Sequence, residues 1–407
     1  MTLSTRSSPS SDPREAGRLQ VFDLIRAAGC IARIDIARET QLSPATVTVL
    51  TSQLLEGGLI EEITPDLSNQ PPEARRGRPR VALRVRGAAY RVAGVKIAHN
   101  HISVLFLDFE GHEIATHDMQ LTEPRMPPKQ LGEAVLKAVA ETCELADVQP
   151  SDLSGIGLAI PGLVDARRNF IYWSSALTER NVDFGTVMAD QAPCPVFLDN
   201  DANLVAKAEH LFGKARNESD FVVITVEHGV GMGIISGGKI YRGARGCGAE
   251  FGHTKVQLEG ALCQCGQRGC LEAYVGDYAL LREANIMDRD RPLSHITELV
   301  KNAESGDPLA QSIFERAGRM FALGLANVVN IFDPKLIILS GGRLSFDYLS
   351  ADRVAEQMRN SVIQIDAPLP EIRIHAWGDE MWAKGAAAYA IEEVSALKVK
   401  ELSKDAA

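Results

Sequence analysis

A chain of 407 residues exceeds the size at which one hydrophobic core keeps growing, so two or three domains are expected. Apolar residues at 45% and charged residues at 24% describe an ordinary folded, soluble protein, and the absence of any 18-residue apolar run excludes a membrane span and favours the cytoplasm. The net charge of −10 is unevenly spread: residues 1–86 hold 12 Arg, no Lys and 10 acids, and Arg75 to Arg86 contains six arginines and no acid. An acidic chain with one arginine block is no general polyanion binder, but it can carry a dedicated nucleic-acid module.

Residues 1–15 are Ser/Pro-rich, lack the apolar stretch of a signal peptide, and are expected to form a disordered tail. Residues 16–86 then predict three short helices. Arg18 to Ala28 places Leu19, Phe22, Leu24 and Ile25 near one face, and Ile34 to Glu39 follows the break at Gly29. The third opens at Ser43, a capping residue, with Pro44 at the first helical position, and runs to Glu56 before Gly57-Gly58 stops it. Leu59 to Ile63 reads as a strand. This is the order of a winged helix-turn-helix, although a small helical subdomain that merely packs would show the same periodicity. The segment Arg75-Arg76-Gly77-Arg78-Pro79-Arg80 favours double-stranded DNA over a solvated linker, because basic side chains around a tight Gly/Pro turn suit phosphates and a narrow minor groove. Val47, Leu50 and Leu54 fall on the apolar side of the third helix, which leaves Ala45, Thr46, Thr48 and Ser52, with the capping Ser43, for the major groove.

From Tyr90 the pattern becomes α/β. Strands are predicted at 91–97, 102–109, 153–159, 196–198, 221–226, 233–236 and 336–339, with helices at 128–145, 202–212 and 309–331 between them. No repeat of 20–50 residues is visible, although two similar lobes could escape such a search.

His253 is followed by Cys263, Cys265 and Cys270. Three thiolates and one imidazole suit a closed tetrahedral zinc site of the structural kind, and the Gly-containing turn from Cys263 to Cys270 can aim the sulfurs inward. Buried free thiols beside a structural histidine are the plain alternative. Glu250 lies three residues before His253 and Glu272 two after Cys270, so a metal joining the two segments would fix both carboxylates. Carboxylates held in this way can accept hydrogen bonds from adjacent hydroxyls of a polyol.

These residues resemble the ROK family (repressors, open reading frames and sugar kinases). The stretch Glu250-Phe251-Gly252-His253-Thr254 to Cys263-Gln264-Cys265-Gly266-Gln267-Arg268-Gly269-Cys270-Leu271-Glu272 carries the resemblance, with Ile160-Pro161-Gly162, Asp199 to Asn203, Gly229 to Gly233, Asn330 to Pro334 and Ser340-Gly341-Gly342. The resemblance implies an α/β architecture in which the winged helix-turn-helix precedes a two-lobed actin-like sugar-kinase (ribonuclease H-like) fold. Its first lobe would cover 87–198 with the C-terminal helix, about 380–400, packed back on it, and its second lobe 199–380. A ligand cleft would lie between the lobes, zinc in the second, and Asn200, Asp201, Glu250, His253 and Glu272 around a sugar. In family kinases the aspartate matching Asp201 is the general base; a carboxylate there is equally an acceptor for binding alone.

Three departures from the family pattern matter. The kinase phosphate turn Asp-x-Gly-Gly-Thr corresponds to Lys96-Ile97-Ala98-His99-Asn100, with side chains where phosphate would sit and no carboxylate for Mg²⁺. Glu227-His228 precedes Gly229 where kinases have Gly-Thr. Ser174-Ser175-Ala176-Leu177 replaces a Ser-Pro-Asn-Leu pattern, removing an asparagine donor and leaving the sugar open. The family often has arginine at the position of Val49, so base readout should be leaner here. The expected function is therefore a sugar-responsive DNA-binding regulator of carbohydrate genes, a repressor without kinase activity. It should bind operator DNA as a homodimer or homotetramer and answer a sugar or sugar derivative. A ROK-type sugar kinase with an appended DNA-binding domain is the alternative, and a regulator governed by a protein partner the third reading.

Overall fold

The computed structural model describes residues 13–63, 81–216, 218–288, 292–341, 351–363, 366, 368–375 and 380–404. Arg75, Arg76, Arg78 and Arg80 lie outside them. The chain divides into two compact units, Met1–Asp199 with Ala383–Ala407, and Asn200–Trp382.

The first unit opens with α1 (Pro13–Ala28), β1 (Ile31–Ala32), α2 (Arg33–Thr40), α3 (Pro44–Glu56), β2 (Ile60–Ile63) and β3 (Ala82–Val85). The sequence placed Pro13 to Glu15 in a disordered tail and began the helix at Arg18; instead α1 starts at Pro13, and the side chains of Glu15 and Arg18 are buried. The polar first turn is held by tertiary contacts, among them a 2.9 Å hydrogen bond from Arg18 Nη1 to Gln53 Oε1. At α3 the Ser43 side chain accepts from the Thr46 N–H at 3.1 Å, and Val47, Leu50, Thr51 and Leu54 face inward. Strand β3 pairs antiparallel with both β1 and β2. Three helices followed by a small antiparallel sheet is the winged helix-turn-helix order.

The first lobe then builds a five-stranded sheet from β4 (Arg91–Ile97), β5 (His101–Asp108), β6 (Glu113–Gln120), β7 (Leu153–Ile160) and, across the lobe, β11 (Val196–Asn200), in the order β11-β7-β4-β5-β6. Helix α4 (Pro128–Ala146) packs on β5 and β6 through Leu131, Val135 and Val139. A three-stranded side sheet of β8 (Gly162–Asp165), β9 (Phe170–Ser174) and β10 (Val182–Asp183), followed by α5 (Phe184–Ala189), completes it.

The second unit begins with α6 (Asp201–Leu211) and a meander of β12 (Phe221–Val226), β13 (Val230–Ser236) and β14 (Lys239–Ile240). Four helices follow: α7 (Glu272–Val275), α8 (Asp277–Met287), α9 (Ile296–Glu304) and α10 (Pro308–Phe332). After them come β15 (Leu336–Ser340), α11 (Ala351–Arg359) and β16 (Glu371–His375), giving the order β14-β13-β12-β15-β16. The sequence began β13 at Gly233 and read Gly229 to Gly233 as a loop; the strand instead starts at Val230. Its glycines have a packing cause, since a Cβ on Gly231 or Gly233 would lie 2.7 Å from Ala202 Cβ or 2.5 Å from Ala202 O of α6.

The last helix, α12 (Glu380–Lys404), belongs to the first unit from Ala383 onward. It lies so close to the first sheet that a Cβ on Gly94 would be 2.0 Å from Ala383 O, and one on Gly157 1.9 Å from Ala386 O. Helix α12 also meets the N-terminal module: Arg26 Nη2 of α1 donates to Ser395 Oγ at 3.0 Å, and Gly57 leaves room for Leu402.

Candidate functional site

The second unit brings His253, Cys263, Cys265 and Cys270 together, with one ligand atom from each within 4.8 Å of the others. Cys263 Sγ is 3.7 Å from His253 Nδ1, and Cys265 Sγ is 3.7 Å from Cys270 Sγ. A tetrahedron of sulfurs about 2.3 Å from zinc has an edge of about 3.75 Å, close to these two separations. Local sequence explains the shape: Gly266 and Gly269 adopt φ of +88° and +77°, and a Cβ on Gly269 would strike Gln257 O at 1.8 Å. Burial and the neighbouring sulfurs push the Cys270 thiol up to about 11, against a 2.9 Å hydrogen bond from Lys255 Nζ. A divalent cation bound here would draw the proton off Cys270.

Glu250 and Glu272 flank the knuckle in space as in sequence. The Glu250 carboxyl is pushed up to about 7, chiefly by burial and further by the nearby Asp201 and Glu272 carboxylates, with His253 opposing. Asp201, Glu250, His253 and Glu272 are thus within electrostatic reach of one another. The backbone before Glu250 is strained, with Ala249 at φ +70°. Glu272 is tied to the knuckle: Cys263 Sγ and Tyr278 Oη lie 3.5 and 3.3 Å from its Oε1, while its Oε2 accepts from Val230 N–H at 3.3 Å. Asn200 caps α6, its Oδ1 accepting from the Ala202 and Asn203 N–H groups at 2.9 and 3.4 Å. That oxygen is committed to the helix, so a ligand would meet the amide NH₂ instead.

The two stretches matched to phosphate loops differ in their surroundings: Ala98 is half-buried and His99 and Asn100 are exposed. Lys96 sits inside β4 rather than in a loop, 7% exposed, opposite Ser103 of β5 and Ala159 of β7. In the second unit a Cβ on Gly229 would lie 2.8 Å from Glu272 Oε2, and His228 packs on Tyr278 with ring centroids 5.5 Å apart. A carboxylate against a glycine turn repels phosphate.

In the N-terminal module Ser43, Ala45, Thr46 and Thr48 are exposed as expected, and Ser52 is half-buried. The described part of the module, 13–63 with 81–86, carries seven arginines and seven acids. Several pair with each other: Arg33 with Glu62 at 2.7 Å, Arg38 with Asp35 at 3.1 Å and Arg84 with Glu61 at 2.6 Å.

A match to the ROK family model spans residues 92–393. The chain belongs to the ROK family. It is 30% identical over 354 residues to the DNA-binding transcriptional dual regulator NagC of Escherichia coli K12, covering 85% of this chain and 84% of that one, and equally so to the N-acetylglucosamine repressor of Escherichia coli O157:H7. Among solved structures, a ROK family transcriptional regulator described as a homolog of the E. coli MLC protein matches with a TM-score of 0.79 at 24% identity, over 95% of this chain and 99% of that one. The ROK hexokinase from Thermus thermophilus matches with a TM-score of 0.63 at 31% identity, over 75% of this chain and 99% of its own. The kinase is thus matched almost entire while a quarter of this chain lies beyond it, and the ROK regulators account for more of the chain.

Two side chains at the site escaped the sequence reading: Lys255 contacts Cys270 and Tyr278 contacts Glu272, and as single polar residues they gave no signal. His228, noted in the sequence only as a departure from the kinase pattern, lies beside Gln264. A second group of ligand-type residues, Asp108, Glu110 and His112, gathers in the β5–β6 turn. There Asp108 Oδ1 already accepts from the N–H groups of Glu110, Gly111 and His112, at 2.8–2.9 Å, so its role is to hold the turn.

Proposed function

We propose that this chain is a sugar-responsive DNA-binding transcriptional regulator, a repressor of genes for carbohydrate uptake or breakdown, which binds its sugar without phosphorylating it. One observation carries the reading: a three-helix module with an exposed third helix stands on the same chain as a carboxylate–imidazole group suited to a polyol. The relatives named above as a repressor and as DNA-binding regulators support it.

Arg75, Arg76, Arg78 and Arg80 supply the phosphate and minor-groove contacts, because the arginines of the described module are balanced by its acids. Ser43, Ala45, Thr46, Thr48 and Ser52 face the major groove. A homodimer, or a homotetramer made of two dimers, reads paired half-sites of an operator. Among the described residues no helix is long and apolar enough to cross a membrane, and DNA as partner places the protein in the cytoplasm.

Asn200, Asp201, Glu250, His253 and Glu272 hold the sugar. Zinc on His253, Cys263, Cys265 and Cys270 supplies cross-linking of the two segments rather than chemistry, since four protein ligands close the tetrahedron. With His253 Nδ1 towards the metal, its Nε2 serves the sugar, and Glu272 is placed by the Tyr278 hydroxyl and the Val230 N–H. Lys96 in β4 and Glu272 against Gly229 oppose a metal nucleotide, so Asp201 acts as an acceptor rather than a general base. Sugar binding shifts the population between two states that differ in operator affinity.

The test measures operator affinity of the full chain by fluorescence anisotropy with and without a panel of hexoses, pentoses, amino sugars and their phosphates, alongside ADP release. One sugar class should lower affinity by a factor within about 5–150. Asp201→Ala and Glu250→Ala should abolish that response and leave sugar-free affinity close to wild type. Sugar-dependent ATP turnover, or a normal response in both variants, overturns the reading.

A further inference from the structure

Helix α3 carries no Lys, Arg or Asn, and its one acid, Glu56, lies in its last turn. The side chains that ordinarily read guanine or adenine through paired hydrogen bonds are therefore missing, with one exception, Gln53, whose Oε1 already accepts from Arg18. The threonine hydroxyls are committed to the helix as well. Thr48 Oγ1 donates to Pro44 O at 2.8 Å, Thr46 Oγ1 lies 2.8 Å from the capping Ser43 Oγ, and Thr51 is buried with its Oγ1 on Thr48 O. Bound in this way, Thr46 and Thr48 retain their methyl groups as the part left for a partner.

Val49 is the residue that the module's packing does not explain. It is 57% exposed, whereas Val47 and Leu50 on either side are 1% and 6% exposed, so the helix has a well-filled core and still presents an isopropyl group outwards. Ala45, Thr48, Val49 and Ser52 are spaced by three or four residues and share one stripe. That stripe is small, largely methyl-bearing and uncharged. Among the four bases only thymine offers a methyl group in the major groove.

We propose that α3 reads the operator through thymine C5-methyl groups, with Val49 as the specificity-determining residue and Ala45 and Thr48 completing an apolar contact surface. This rests on the DNA-binding reading above and names the chemistry of its partner. Guanine and cytosine gain nothing from this stripe, so phosphate contacts set affinity and register while methyl contacts set the sequence preference.

The experiment selects duplexes for the full-length protein from a random-sequence library, then replaces each thymine of an enriched half-site by uracil, which lacks only the methyl. Binding should weaken about fourfold at each methyl that is read, the effect of about 0.8 kcal/mol for one buried carbon, and remain unchanged in the spacer. Val49→Ala, at an exposed position that does not endanger folding, should remove the penalty at one thymine and keep it at the others. Enriched duplexes that tolerate uracil everywhere, or an unaltered penalty pattern in Val49→Ala, overturn the methyl reading while DNA binding stands. A library that yields no enriched duplex overturns the proposed function itself.

Discussion

The first lobe orders its sheet β6-β5-β4-β7-β11 and the second β14-β13-β12-β15-β16, so both run three antiparallel neighbours into a parallel fourth strand. Each also sinks a helix onto glycines: α12 onto Gly94 and Gly157 in the first lobe, α6 onto Gly231 and Gly233 in the second. Their equivalent connections differ. The first lobe joins its third and fourth strands through α4; the second inserts the knuckle, Glu250, His253, Glu272 and four helices between β14 and β15. The sheet repeats while the chemistry enters through a single connection, as expected where a rigid scaffold positions loops that carry function.

The largest effect should come from filling the closest glycine contact. A Cβ on Gly157 meets a backbone oxygen at 1.9 Å, which no rotamer change relieves, so Gly157→Ala must lift α12 from the sheet. A loss of about 3 kcal/mol or more is expected in urea unfolding. Gly231→Ala in the second lobe meets Thr225 Oγ1 at 2.6 Å, which can rotate away, and Ala202 Cβ at 2.7 Å, which moves only with α6, and should cost about 1–2 kcal/mol. Equal losses would mean that the two glycine seats are not the same device with different tolerances.

Metal removal should separate the lobes more finely. With a strong chelator, amide exchange should accelerate on the order of 10²-fold from Thr254 to Tyr278, about 2.7 kcal/mol of local stability. Strands β4, β5 and β7 should stay as protected as before. Protection lost equally in both lobes would place the metal's role outside the knuckle, and metal analysis finding no stoichiometric zinc would remove it.

Legibility in the sequence followed residue rarity and period. Strands β4 and β12 lie where the sequence predicted them, because short apolar runs between turn residues have few other readings. Cys263, Cys265 and Cys270 were legible because cysteines are scarce and clustered, and the fold gathers them with His253. Asn200 was placed around the sugar by the family resemblance alone, and its second task, capping α6, became visible only in the structure. The start of α1 was missed because Glu15 and Arg18 look like surface residues, and only tertiary contacts bury them. The repeat of sheet order left no trace either: strand order is set by which edges pair, and unrelated apolar residues satisfy it equally well. Val49 was seen as a missing arginine; that its isopropyl group stands exposed needed the packing of α3.

The smallest effect concerns the place where the first unit joins the N-terminal module to α12. The Arg26 guanidinium lies 4.6 Å from the Phe22 ring centroid and 5.0 Å from that of Phe109, while its Nη2 donates to Ser395 Oγ. Burial pulls its pKa down to about 10, with Asp23 and Glu392 opposing, so the group remains charged at neutral pH. Helix α12 starts at Glu380 in the second unit and belongs to the first from Ala383, so the chain passes between the units within one helix. Arg26→Met keeps the aliphatic stem and loses the charge, the stacking and the hydrogen bond, at a cost of about 1–2 kcal/mol. Arg26→Lys keeps the charge but loses the planar fork, and should recover only part of that loss. The change should appear as faster amide exchange in α1 and the last turns of α12, with the strands of both lobes unaffected, and as a smaller sugar effect on operator affinity. Full sugar response in Arg26→Met, despite looser exchange in α1, would show that the contact only holds the module in place and that the signal travels elsewhere.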